Sequence, residues 1–214
     1  MFIGLTREDK EIISFKNYLK ALNLGVCGID MGYSTVYDQK QSSLYYLSKI
    51  QKLTEELGVA GGFNVTTMQR FKNNMENQDS LYFIILQSFN DVHKYFQESD
   101  RASTGLLIIT GGFIEGLYLT AGLTQTNNDF RLVNLLAQQQ IFLDNLIELL
   151  DFYNTHPEIL ELSKQMKDLK IAFKGVPAPR ESNEANKTNT FAISNLQLNH
   201  IMNKITAIRH KIVD

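Results

Sequence analysis

The 214-residue chain has one cysteine, no tryptophan, three prolines and almost no excess of either charge. The lone Cys27 excludes an internal disulfide, and a thiol among apolar helix residues is ordinarily a small core side chain. No histidine lies near it in sequence to generate a thiolate. The prolines are Pro157, Pro177 and Pro179, so everything before residue 157 is open to long unbroken helices. A net charge of −2, with acids and bases interspersed, sets up no field for phosphate backbones and excludes nucleic acid as a partner. Catalytic signatures are missing too. There is no GxSxG and no Walker motif, and LGVAGGF lacks the spacing and preceding strand of a dinucleotide fold. The histidines (His93, His156, His200 and His210) belong to no HExxH or paired Glu-x-x-His pattern, so neither a metal nor another cofactor is expected. The opening MFIGLTREDK is too short and too quickly charged for a signal peptide.

What the chain does have is glycine inside long apolar segments. Residues 10–38 carry Ala21, Gly25, Gly28 and Gly32; residues 100–123 carry Gly105, Gly111, Gly112, Gly116 and Gly122. Each interior glycine costs a helix about 1 kcal/mol relative to alanine, which is tolerable where the missing side chain admits another backbone or a ligand. On a helical wheel Ala21, Gly25, Gly28 and Gly32 share one narrow arc, and Gly105, Gly112 and Gly116 share another. These seven are the expected helix-packing residues, closing helix axes below the usual ~8–10 Å. A small molecule lying across the stripe is the alternative. The later segment is apolar enough to raise a membrane question, but Glu115 and the glycines interrupt it, so a buried core helix is expected and not a transmembrane one.

The remaining segments also read as helices. Residues 41–57 place Leu44, Leu47, Ile50, Leu53 and Leu57 at spacings of three and four, stopped by Gly58. Asn64 or Thr66 is expected to cap a short helix through Met68, Phe71 and Met75. Asp79 or Ser80 is expected to open the next, with Leu81, Ile84, Ile85, Phe89, Val92 and Phe96 inward. Residues 128–153 repeat Leu132, Leu136, Leu143, Leu146 and Leu150. Pro157 starts a helix carrying Leu160, Leu162, Met166, Leu169 and Phe173, and residues 191–213 carry Leu196, Leu198, Ile201, Ile205, Ile208 and Ile212. Residues 175–189 are polar and rich in turn formers, a mobile loop by composition. The fold is therefore all-α, about eight helices in a single domain over residues 1–214. GIDMGY at residues 28–33 resembles FIEGLY at 113–118, which leaves open a duplication into four-helix halves, 7–98 and 99–214, packed through their glycine helices.

Glu115 stands out chemically. Its helix is apolar or small on every face, and it shares an arc with Gly111, Tyr118 and Gly122. A buried carboxylate must be paired, hydrogen-bonded or protonated. It is either a structural group bonded to a tyrosine, an arginine or a helix N-terminus, or the polar anchor of a small pocket completed by Tyr118, Asp30, Tyr33 and Tyr37. Asp30, its counterpart in the repeat, lies opposite the glycine arc and is expected to be partly exposed.

Ala21 through Gly25, Asp30, and Tyr33 with Tyr37, followed by Gly112, Phe113, Ile114, Glu115 and Tyr118, resemble the pattern of a family of uncharacterised helical proteins from Bacteroidota, many of them exported or lipoprotein-like. The resemblance implies a cell-envelope or periplasmic location and no particular chemistry. The leading expectation is a non-enzymatic helical module of the envelope that binds a protein or a small ligand, with homo-oligomers allowed. An enzyme or sensor using Glu115 as an acid or ligand anchor, and a cytoplasmic helical adaptor, are the alternatives.

Overall fold

The computed structural model describes residues 14–59, 65–99, 101–127, 130–153, 156–179 and 193–213. The protein is all-α, with eight helices and no strand among the described residues: α1 Phe15–Val36, α2 Lys40–Leu57, α3 Val65–Asn73, α4 Gln78–Glu98, α5 Ala102–Thr126, α6 Phe130–Phe152, α7 Pro157–Ala172 and α8 Asn195–Val213. They form two compact units, the first ending at Phe113 and the second beginning at Ile114. The division falls inside the second glycine helix, not ahead of it at residue 99.

In the first unit, α1 and α2 form an antiparallel hairpin. Ser14 caps α1, its hydroxyl accepting from the Asn17 N–H. The turn passes through Asp38 at φ 55°, and across it the buried Thr35 and Ser43 hydroxyls share a hydrogen bond of 3.2 Å. At the far end Lys20 pairs with Glu56 at 2.6 Å. Gly58 ends α2 in the left-handed region, as the sequence reading expects, because a Cβ there would meet its own backbone. The guanidinium of Arg101 donates to the Leu57 and Gly58 carbonyls at 2.8 and 3.0 Å, satisfying acceptors that the helix end leaves open. Leu47, Ile50 and Leu57 are buried, but Leu44 is exposed, about 100° around the helix from the buried Ser43. Asn77, not Asp79 or Ser80, caps α4: its side-chain oxygen accepts from the Ser80 N–H at 2.9 Å. Thr66 lies within α3 and caps nothing, while Asn64 and the side chain of Phe89 lie outside the described residues.

The glycines of α1 and α5 divide sharply. A Cβ on Gly25 would lie 2.0 Å from the Ile108 carbonyl oxygen and 2.5 Å from the Gly112 nitrogen, and one on Gly111 would lie 2.0 Å from the Leu22 oxygen. Here α1 and the start of α5 touch backbone to backbone, with Ala21, Leu22 and Leu24 buried around the crossing. A Cβ on Gly112 would reach only ordinary contact at 3.5 Å, and one on Gly105 would press on the Phe96 ring at 3.1 Å, a side chain and not a helix backbone. Gly28, Gly32 and Gly116 depart from the expectation: among the described residues a Cβ on any of them would meet nothing within 4 Å. A shared wheel arc does not guarantee contact, because two crossing helices meet over only a turn or two and then diverge.

In the second unit, α6, α7 and α8 pack through Leu136, Leu143, Leu146 and Leu150, then Ile159, Leu162, Met166 and Leu169, then Leu198, Ile201, Ile205, Ile208 and Ile212, all buried. Leu160 and Leu196 are exposed instead, displaced from these faces. Pro157 occupies the first turn of α7, where its absent N–H costs nothing, and His156 precedes it without a side-chain cap. Beyond α7, residues 176–179 have no regular structure, and the rest of the proposed loop, 180–189, lies outside the described residues. The Gln197 amide donates to the Ala172 and Lys174 carbonyls, tying the start of α8 to the end of α7.

Candidate functional site

The second half of α5 carries Glu115 into the core of its unit, where the residue is 1% exposed. Its partner comes from α8. Arg209 follows Ile208 and lies one turn beyond Ile205, so the helix that buries its isoleucines lays this guanidinium along the edge of the apolar face. Arg209 Nε donates to Glu115 Oε2 at 2.5 Å and Nη2 to Oε1 at 3.1 Å, a two-pronged ion pair that fixes orientation as well as charge. Tyr118, one turn from Glu115, packs its ring under the guanidinium, whose carbon lies 4.6 Å from the ring centre. Gln125 and Asn199 add a second polar tie between α5 and α8 at 2.8 Å. Of the candidate ligand residues, then, Glu115 and Tyr118 do come together, around a cation. Each carboxylate oxygen accepts a guanidinium N–H, which is the chemistry of a clamp between helices.

Asp30, Tyr33 and Tyr37 belong to the first unit. Asp30 is half-buried, while Tyr33 and Tyr37 lie with ring centres 4.5 Å apart at the end of α1. Across the hairpin, the Lys49 ammonium lies 4.9 Å from the Tyr45 ring centre. A hydrogen bond with Tyr45 raises the Lys49 pKa above the usual lysine value against the cost of burial, and the nearby Cys27 and Asp30 add smaller pulls in the same direction. Cys27 itself is buried.

Concavities among the described residues lie elsewhere, two of which have polar walls. One, of about 350 Å³ between α3 and α4, is lined by Arg70, Asn74, Asp79, Ser80, Phe83 and Ile84. The other, of about 140 Å³ between α6 and α7, is bordered by the Lys170–Asp144 pair, 2.8 Å long. Among the described residues no group of three His, Cys, Asp or Glu is placed to hold a metal ion.

The feature that sequence reasoning missed is the outer face of α6. Its buried side follows the leucine repeat. On the opposite arc, about 140° wide at 100° per residue, lie Leu135 (43% exposed), Ile141 (63%), Phe142 (41%) and Phe152 (42%), interleaved with the exposed Gln138, the half-buried Asn145 and Leu149, and the buried Asn134. The charges on this arc are Arg131 near its start and Glu148 near its end. Asp144 and Asp151, on the flank toward α7, are engaged by Lys170 and Lys167, and Asp151 also accepts from the buried Ser163 hydroxyl at 2.5 Å. The signal was in the sequence: Leu135, Phe142 and Leu149 repeat at seven, and Phe152 follows three later. It was overshadowed by the stronger leucine stripe on the other side. Comparison of the chain with family models, with curated proteins and with solved structures found no match.

Proposed function

We propose that this protein is a non-enzymatic helical module that binds a protein partner through the outer face of α6. The observation that carries the reading is the run of large apolar side chains on a solvent-facing arc that holds a charge only near each end. Isolated exposed apolar residues are ordinary, but a contiguous stripe centred on a phenylalanine has the composition of an interface core. The enzyme reading draws no comparable support, because the one deeply buried carboxylate is gripped at both oxygens by Arg209. The resemblance to the Bacteroidota family supplies a cell-envelope setting for this binding, which fractionation of the host would check.

Site-specific photocrosslinking in the native host tests the reading. A photoreactive side chain at Gln138, inside the arc, is expected to give discrete protein adducts. The same group at Lys164, on the exposed polar side of α7, is expected to give none. Equal, low yields at both positions would remove the α6 face as a docking surface.

A further inference from the structure

We draw no further inference here: the strongest candidate, the outward apolar face of α6 around Ile141 and Phe142, belongs to the docking surface already described and nothing in the structure shows what covers it, while the charged side chains that line the concavity between α3 and α4, Arg70 and Asp79, are exposed and point to no particular ligand.

Discussion

Replacing Gly25 with alanine adds one methyl group, and the structure says where that methyl would go. It would lie 2.0 Å from the Ile108 carbonyl oxygen, with the Gly112 nitrogen at 2.5 Å. Both atoms are backbone of α5, so no side chain can rotate aside, and α1 must retreat by more than an ångström to restore ordinary contact. That retreat loosens the packing of Ala21, Leu22 and Leu24 around the crossing. Overpacking of a well-packed contact costs about 1–3 kcal/mol, and more where the neighbour cannot yield. Against this, alanine gains about 1 kcal/mol of helix propensity over glycine. With backbone as the unyielding neighbour the upper end applies, and the expected net loss for Gly25→Ala is about 2 kcal/mol, a melting temperature lower by about 4–8 °C in a chain of this size. Gly111→Ala, facing the Leu22 oxygen at the same distance, should behave alike. Gly28→Ala is the internal control: its methyl meets nothing within 4 Å among the described residues, so only the propensity gain remains and stability should rise by about 0.5–1 kcal/mol. Urea and thermal denaturation of the three variants, followed by far-ultraviolet circular dichroism, decide the matter. If Gly25→Ala melts with the parent protein, or Gly28→Ala falls with Gly25→Ala, backbone contact between α1 and α5 is not what these glycines serve.

Two further outcomes follow from the polar groups. The two halves of the Glu115–Arg209 clamp should be unequal in cost. Arg209→Met takes the ion-pair partner from a carboxylate that is 1% exposed, a loss of about 3 kcal/mol, whereas Glu115→Gln leaves a guanidinium already 22% exposed that can turn to water, a loss nearer 1 kcal/mol. Urea titrations showing equal losses, or the reverse order, would mean the pair is not buried as described. Asp151 is held below the usual aspartate value of 3.8 by hydrogen bonds from Lys167 and then Ser163, against the cost of burial. The stability it contributes is present in full above that value and is lost as the pH falls through its lower folded-state pKa. With the side chain 40% exposed, the contribution is about 1 kcal/mol at most. Asp151→Asn should therefore be less stable than the parent at pH 7, with the difference fading below about pH 4; a difference independent of pH would refute the assignment.

Periodicity carried the sequence to an all-helical chain and to the main inward faces of α6 and α8, and backbone preference to the left-handed stop at Gly58 and to proline in the first turn of α7. All of these are local, set within one or two turns by spacing and backbone preference. Glu115 could be read as a buried acid needing a partner because its own helix offers no solvent side. Its partner could not be read, since Arg209 lies 94 residues away and only the packing of α8 brings it there. The glycines show the same limit. Gly25 and Gly28 are equivalent on a wheel, yet one lies at the crossing of two helices and the other past it. Where rods cross is decided by the summed shape of all their side chains, a property of the assembled core that no single stripe contains. Likewise, both faces of α6 are apolar by composition, and only burial of the leucine repeat against neighbouring helices left Leu135, Ile141, Phe142 and Phe152 facing water.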